Sequence, residues 1–168
     1  MMRHEKSDKS GPTQAFLLAQ VGARAAGEFA RLLEPLKLLP PDAGILRLLN
    51  LSPGMSQQEL ARRLNMYPSR LVAIIDALEE RGLVARTANA EDRRIYSLQL
   101  TDAGREALQA IGRAAREQNE LICAALNAKE REQLGLLLKK IAAQQGLAPG
   151  IHPGYRRMGD GCAGDAKK

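Results

Sequence analysis

The chain has 168 residues, of which 45% are hydrophobic and 26% are charged. These are ordinary globular values, and the length suits one domain or a small domain with an added helical scaffold. Five aromatic residues are too few for the stacking platforms of a single-strand nucleic-acid binder. The formal charge of +6 favours a polyanionic partner only mildly, because segments 52–100 and 101–146 each hold 7 basic and 6 acidic residues.

The reactive residue types form no pattern typical of catalysis or metal binding. Cys123 and Cys162 have no metal-ligand spacing, and Cys123 lies in a helical pattern that favours a small buried side chain. His4 and His152 both fall near the termini, without a carboxylate pair, nucleophile motif or phosphate-binding glycine loop. We therefore expect neither an enzyme nor a bound cofactor or metal.

Neither a membrane span nor an export signal is predicted. No stretch reaches the roughly 20 apolar residues that a transmembrane helix needs. The N-terminal sequence MMRHEKSDKSGP lacks the apolar centre of a signal peptide. The expected location is the cytoplasm.

Proline punctuates two helices in the first third of the chain. From Thr13 to about Leu33 the apolar residues recur at three-four spacing, which predicts a long helix. Pro35 bends or ends that helix. Pro41 or Asp42 opens a shorter one, and the turn sequence LSPG closes it.

A short helix with a strong start signal follows the turn. Ser56 and Glu59 have the spacing of a capping box, in which each side chain can bond to the other's backbone N–H. Leu60, Ala61 and Leu64 form the predicted buried stripe, whereas Gln57, Arg62 and Arg63 face outward. The connection at 65–67 has about three residues, which forces a steep helix crossing and predicts a helix-turn-helix.

The second helix of this pair has a polar outer face with a charge gradient. Leu71, Ile74, Ile75 and Leu78 are spaced to face the core, and Pro68 suits the first helical position. The outer face begins with Ser69, Arg70 and Ala73 and ends with Asp76, Glu79 and Glu80. A helix that enters DNA by its N-terminal turn would have this polarity, although an ordinary amphipathic helix accounts for the pattern as well.

A hairpin follows, and its tip is basic. Gly82 supplies the left-handed residue that ends the helix, and residues 83–88 and 95–100 alternate as strands do. Arg86 lies in the first strand and is a further candidate for DNA contact. The polar tip at 89–94 holds the adjacent pair Arg93 and Arg94, which have no core to serve and indicate a wing.

Two further amphipathic helices complete the pattern. Thr101 and Asp102 begin one that runs to about residue 126, and Asn127 with Glu130 caps the last. Together with the first helix they exceed what a DNA-binding unit of 45 residues needs for its own core. Surplus amphipathic helices from both ends of a chain are typical of a dimerisation domain.

The predicted fold class is mainly α with a small β-hairpin wing, a winged helix-turn-helix with a helical dimerisation domain. We expect the winged helix-turn-helix at residues 40–101 and the dimerisation domain at 13–39 and 102–146. Residues 1–12 are expected to be a disordered arm, and the tail 147–168, rich in glycine and proline, is expected to be disordered as well.

The run from about Phe29 to Ile141, two-thirds of the chain, resembles the MarR family of multiple antibiotic resistance regulators. Four stretches carry the resemblance in the family's order: LPPDAGILRLL, SQQELARRLNMYPSRLVAIIDALEERGLV, AEDRRIYSLQLTDAGRE and LNAKEREQLGLLLKKI. The wing followed by LTDAG is the most specific of them, because many families share the helix-turn-helix itself.

The resemblance implies a homodimeric regulator of transcription, most often a repressor, that binds double-stranded DNA at a pseudo-palindromic operator. Its recognition helices would enter major grooves and its wings the flanking minor grooves. The family's paired wing aspartate and arginine match Asp92 and Arg94, so Arg94 would insert into the minor groove while Asp92 orients it.

Two departures bear on base reading. Relatives often have a polar or basic residue at Ala73 and an arginine at Ala77. Ser69 and Arg70, helped by Gln57 or Arg62 of the preceding helix, would then make most groove contacts, and shape and phosphate contacts would carry more of the specificity. Ala73 can still meet a thymine methyl.

The resemblance also implies a small organic effector, commonly an aromatic acid, between the helical scaffold and the winged domain. Its lining would come from the end of the first helix and from the second and fifth helices. The redox-sensing branch is a poorer match, because no cysteine occurs in the first helix. The alternative function is a winged-helix protein-protein interaction module without specific DNA binding, supported by Ala73, Ala77 and the near-neutral local charge.

Overall fold

The structure is a computed structural model that describes residues 11–88 and 96–152. These residues form six α-helices and a small antiparallel sheet, so the predicted fold class is confirmed. The elements are α1 (Gln14–Leu33), α2 (Pro40–Leu51), β1 (Met55–Ser56), α3 (Gln57–Leu64), α4 (Pro68–Glu80), β2 (Val84–Ala88), β3 (Tyr96–Leu100), α5 (Asp102–Ile122) and α6 (Ala128–Gln144).

Side-chain caps set the start of several helices, and those at Ser56 and Asn127 are the ones that the sequence predicts. The hydroxyls of Thr13 and Ser56 each accept a hydrogen bond from the backbone N–H three residues on, at 3.3 and 3.2 Å. Asn127 and Glu130 form the reciprocal pair, with bonds of 3.0 and 2.9 Å. At Ser56 only half of the predicted capping box forms, because the carboxylate of Glu59 binds arginines instead.

The corner between α1 and α2 is bound to the far end of α4. Pro35 lies in a single 3-10 turn, Glu34–Leu36, which ends α1 as predicted. From the C-terminal end of α4, Arg81 donates to the carbonyl oxygens of Lys37 and Leu36, at 2.7 and 3.0 Å. These two bonds link the end of α4, the second helix of the helix-turn-helix, to the corner between α1 and α2.

The core of the winged domain is the shared interior of α2, α3, α4 and the sheet. Leu46, Leu60, Leu71, Ile75 and Leu98, one from almost every element, are completely buried. The predicted inner face of α4 is confirmed, with Ile74 half-buried at its margin. This core orients the outer faces of α3 and α4 together.

The sheet has the order β1-β3-β2 and is antiparallel throughout. In the hairpin Val84 lies opposite Leu100 and Ala88 opposite Tyr96, whereas β1 adds the pair Met55 and Leu98. The sequence did not predict β1, because two residues are too short to show an alternating pattern. Tyr96, Leu98 and Leu100 alternate along β3; Tyr96 is 53% exposed, whereas Leu98 is completely buried.

A tight junction links α4, the hairpin and α5. The hydroxyl of Thr101 donates to the carbonyl oxygen of Gly82 at 2.6 Å and accepts from the N–H of Gly104 at 3.0 Å. The N–H of Thr101 donates to the carbonyl oxygen of Leu83 at 3.2 Å. Gly82 has the left-handed conformation that the sequence predicts, with a φ of 68°. The junction explains why the sequence LTDAG follows the wing.

The junction requires glycine at position 104, because a side chain there would have no room. A Cβ atom at this position would lie 2.0 Å from the carbonyl oxygen of Leu83, a backbone atom that cannot move without displacing the start of β2.

The scaffold helices leave much apolar surface uncovered. Phe16, Leu17, Leu18 and Val21 on α1 are all more than two-fifths exposed, and no residue of α6 is buried. On α6 the exposed apolar residues are Leu136, Leu137, Leu138 and Ile141. No helix within residues 11–88 and 96–152 combines the length and apolarity that crossing a membrane requires.

The beginning of the tail lies against α2. Ile151 is half-buried against the core, and the carbonyl oxygen of Gly150 accepts a 3.5 Å hydrogen bond from Arg47 of α2. Residues 147–152 thus contact α2 and the core through Ile151 and Gly150, and the disorder expected for the tail from residue 147 stays a prediction. Residues 153–168 lie outside the described residues.

We predict that Gly104→Ala destabilises the protein by about 2–3 kcal/mol, the usual cost of forcing a methyl group into filled space. Gly112→Ala in the same helix is the control, since its Cβ would meet only the flexible end of Arg116 at 3.6 Å. That change should stabilise by up to about 1 kcal/mol. Chemical denaturation measures both, and equal stability of the two variants would contradict this account of the junction.

Candidate nucleic-acid interface

The first turns of α4 form an open, convex surface. Tyr67, Ser69, Val72 and Ala73 are exposed, and Arg70 is partly exposed at their edge. Pro68 occupies the first helical position, where its missing N–H costs no hydrogen bond. The positive end of the helix dipole lies at this turn, so the surface favours an anionic partner such as phosphate.

α3 lies beside this surface with its basic residues outward. Gln57 is partly exposed, and the side chain of Arg62 is 77% exposed. Glu59 pairs with both Arg63, at 2.7 Å, and Arg62. Hydrogen bonds from Arg63 and Arg62 lower the pKa of Glu59, so its charge stays neutralised by neighbours. The α3 face thus carries no uncompensated acid next to α4.

Arg86, a candidate for DNA contact from the sequence, is engaged by two carboxylates of α4. Only 20% of its side chain is exposed, and its guanidinium pairs with Asp76 at 2.5 Å and with Glu79. Its backbone N–H donates to Glu79 at 3.2 Å. Burial opposes its charge, but the hydrogen bonds that Arg86 donates to the two carboxylates outweigh that effect and raise the pKa of Arg86. The residue therefore fastens β2 to the acidic end of α4.

As a result, Asp76 and Glu79 are paired and do not lie as free acids near the first turn of α4. Asp76 and Glu79 were expected to stay away from DNA because of their place in the helix. The structure adds a physical cause, since Arg86 holds both carboxylates at the base of the hairpin. Exposed Glu80, further along α4, lies at the end of the helix opposite to the open turn.

The tip of the wing lies outside the described residues. Asp92, Arg93 and Arg94 fall within 89–95, between the paired ends Ala88 and Tyr96 of the hairpin. Their assignment to DNA binding stays a prediction, as does that of Gln57, Arg62, Ser69, Arg70, Ala73 and Arg86.

Sequence reasoning missed the interactions that connect elements across the fold. The bonds from Arg81 to the α1–α2 corner, and the 3.3 Å bond from Arg63 to the hydroxyl of Ser52, join residues far apart in sequence. No spacing rule predicts such pairs from one sequence. The exposed positions of Tyr67 and Val72 were likewise unforeseen, although helical periodicity places Val72 near Ser69 on the outer face.

We predict that Arg86→Gln lowers the free energy of unfolding by about 1–2 kcal/mol, because two carboxylates then lose their partner. The added substitutions Asp76→Asn and Glu79→Gln should recover at least half of that loss, since they remove the uncompensated charges. Thermal or denaturant unfolding of Arg86→Gln, alone and combined with one or both of the added substitutions, measures these free-energy differences. Equal losses with and without the two rescuing changes would show that Arg86 acts by packing alone.

The comparison with known proteins agrees with this geometry. The MarR family model matches residues 39–96, from the start of α2 to the start of β3. A putative transcriptional regulatory protein for the hcr operon of Thauera aromatica is 34% identical over 123 residues, which are 73% of this chain and 74% of that protein. The transcriptional repressor Rv2887 of Mycobacterium tuberculosis is 32% identical over 128 residues, 76% of this chain and 92% of the repressor.

Solved structures of MarR family proteins also match this chain. Rv2887 in complex with DNA matches 78% of this chain and 98% of its own, with a TM-score of 0.68 and 29% identity. Its complex with salicylic acid matches with a TM-score of 0.64 and 32% identity, over 79% and 98% of the two chains. MarR of Escherichia coli, 22% identical, shares the fold with a TM-score of 0.71 over 79% of this chain and 98% of its own. The chain belongs to the MarR family.

Proposed function

We propose that the chain is a dimeric, sequence-specific DNA-binding regulator of transcription, a ligand-responsive repressor that binds a pseudo-palindromic operator. The observation that carries the proposal is the open first turn of α4, presented on a helix-turn-helix with the nearby acids neutralised. The relative Rv2887, a repressor whose complex with DNA has been solved, supports it. A cytoplasmic location is part of the proposal, since the regulator acts where the DNA is.

In this proposal the N-terminal half of α4 enters the major groove. Ser69 and Arg70 contact base edges and phosphates, and Ala73 offers its methyl to a thymine. Gln57 and Arg62 of α3 contact the adjacent backbone, which fixes the register of the helix. With so few long polar side chains on α4, shape and phosphate contacts supply much of the discrimination.

The wing supplies the second contact. Arg94 inserts into the minor groove, Asp92 orients it, and Arg93 binds phosphate. We assign Arg86 a positioning role, since its guanidinium is committed to Asp76 and Glu79 at the base of the hairpin.

Dimerisation would cover the exposed apolar faces of α1 and α6. Six large apolar side chains at the N-terminal part of α1 and on α6 are more than half or nearly half exposed: Phe16, Leu17, Val21, Leu136, Leu137 and Ile141. Exposed large apolar side chains grouped along two helices are typical of a protein-protein interface. A twofold dimer buries it and sets the separation of the two reading helices, as a palindromic operator requires.

A small organic effector, aromatic or otherwise, would act by preferring one separation of the two winged domains. The complex of Rv2887 with salicylic acid supports an aromatic acid as the effector class. The proposal contains no catalytic step, and the relatives reported above are regulators by name.

The alternative is a winged-helix module for protein-protein assembly. Tyr67 and Val72, 57% and 40% exposed on the same α4 surface, favour it because apolar side chains suit a protein partner. Under this alternative the wing arginines are solvated surface groups and duplex DNA is not bound.

We predict that Arg94→Ala weakens operator binding by about 1–3 kcal/mol, the usual value of one specific DNA contact. Fluorescence anisotropy with an operator selected from a random-sequence duplex pool measures the effect. Arg24→Ala, which removes an arginine 77% exposed on α1, is the control and should leave the Kd unchanged. An unaltered Kd for Arg94→Ala would remove the wing from the mechanism.

We predict that Leu137→Lys converts the dimer into a monomer, because it places a charge in the apolar face of α6. Operator affinity should fall at least about 100-fold, since two linked half-site contacts become one. Light scattering after gel filtration and anisotropy measure the two effects. Glu80→Lys, at the exposed end of α4 and away from α1 and α6, introduces the same residue and should remain dimeric. A dimeric Leu137→Lys protein would refute this interface.

A further inference from the structure

The chain changes direction sharply at the end of α6. Gly146 follows the helix with a left-handed φ of 66°, and its N–H donates to the carbonyl oxygen of Ala143 at 3.1 Å. The N–H of Leu147 donates to the carbonyl oxygen of Ala142 at 3.0 Å. These are the two hydrogen bonds of a Schellman motif, which ends a helix and redirects the chain. The residues that follow are therefore led away from the axis of α6.

A second turn carries one apolar side chain to α2. The N–H of Ile151 donates to the carbonyl oxygen of Ala148 at 3.2 Å, and Gly150 between them has a φ of 72°. Pro149 followed by a left-handed glycine is the pattern of a type II turn, in which both residues have a conformation that they favour. Residues 147–152, which we call the strap, thus follow a path set by two turns.

The strap ends in a groove of the winged domain. Ile151 is half-buried against the core, and Arg47 donates to the carbonyl oxygen of Gly150 at 3.5 Å. The guanidinium of Arg47 also lies 3.0 Å from the place that a Cβ atom at Gly150 would take. Besides the strap, the groove is lined by residues of α2 and of the end of α3: Gly44, Arg47, Leu48, Leu51 and Leu64. These two helices share the core that orients α4.

The strap is one of two places where α6 is fastened to its own chain. At the start of α6, Arg131 donates to the carbonyl oxygen of Leu126 at 3.1 Å and pairs with Glu120 at 2.6 Å. Along the rest of the helix no residue is buried, and within 11–88 and 96–152 no other helix or strand packs extensively on it. Within one chain, the position of the far end of α6 relative to the winged domain therefore depends on the strap.

We propose that the strap positions the winged domain for DNA binding, because it fastens α6 to α2 and thereby sets the separation of the two α4 helices in the dimer. Ile151 and Arg47 are positioning residues that contact no DNA. The inference rests on the proposed function, in which the apolar face of α6 holds the partner subunit. It requires that residues 147–152 are docked in solution, which is the opposite of the disorder expected from their composition.

Hydrogen exchange of the full chain without DNA tests whether the strap is docked. The N–H of Ile151 should exchange at least about tenfold more slowly than in an unfolded peptide, because it is held in a turn on α2. Ile151→Ser should remove this protection at position 151. Ile151→Val keeps most of the apolar contact and is the matched control, which should remain protected.

The spacing of the two operator half-sites tests the positioning role. One base pair added to or removed from the centre of a selected operator should weaken binding of the unchanged protein at least about tenfold, since the half-sites must match the separation of the two α4 helices. Ile151→Ser should reduce this penalty to below about threefold, and Ile151→Val should keep it. A loss of stability alone would weaken binding to the three duplexes equally. If circular dichroism shows Ile151→Ser to be unfolded, Arg47→Ala removes a contact from the α2 side and should shift the penalty in the same direction.

A distance measurement separates this proposal from the proposed function. A spin label at the exposed position of Glu80→Cys, in a chain with Cys123→Ser and Cys162→Ser, reports the separation of the two α4 helices without DNA. The unchanged strap should give a narrow distribution of distances, and Ile151→Ser a wider or displaced one. An unprotected amide at 151, a spacing penalty that Ile151→Ser leaves intact, or an unaltered distribution would overturn the proposal. Failure of every duplex to bind counts against the proposed function, and the exchange and distance results then decide the strap.

Discussion

The contact between Gly104 and the carbonyl oxygen of Leu83 is the constraint on which the arrangement of this protein depends. At this point the end of α4, the start of the wing and the start of α5 meet within a few ångströms, joined by three hydrogen bonds of Thr101. A glycine allows the approach, and the threonine side chain fixes its geometry. The reading helix and the start of the wing are therefore held at one angle to the scaffold helix α5.

Electrostatics adds a second constraint. α3 and α4 together carry four carboxylates and three arginines, so their net charge does not indicate a nucleic-acid partner. What matters is that Arg62 and Arg63 neutralise Glu59, while Arg86 draws Asp76 and Glu79 toward the base of the hairpin. The open turn at Ser69 and Arg70 is left with the favourable end of the helix dipole. The sign of the charge on this surface is therefore set by which carboxylates are paired, and the composition of the two helices does not determine it.

Much of the fold was predictable because its signals are local. The caps at Ser56 and Asn127, the proline at 68 and the left-handed Gly82 each act within a few residues, and helical spacing gave the buried faces. Contacts between distant residues were not predictable. The sequence placed Arg86 in a strand without indicating its two acidic partners, and it placed Ile151 in a tail expected to be disordered. The candidate site was located from sequence, but the role of Arg86 within it required three-dimensional placement.

The central claim is that the open turn of α4 and the wing bind duplex DNA by phosphate and groove contacts. The most direct test is the affinity of the protein for a selected operator and for random duplex at several salt concentrations. The account predicts a slope of log affinity against log salt steeper than about −4 for the operator, as several phosphate contacts require. It also predicts tighter binding of the operator than of random duplex at each salt concentration. Failure of any duplex to be enriched, or binding too weak to follow at low salt, would contradict the account and favour a protein partner.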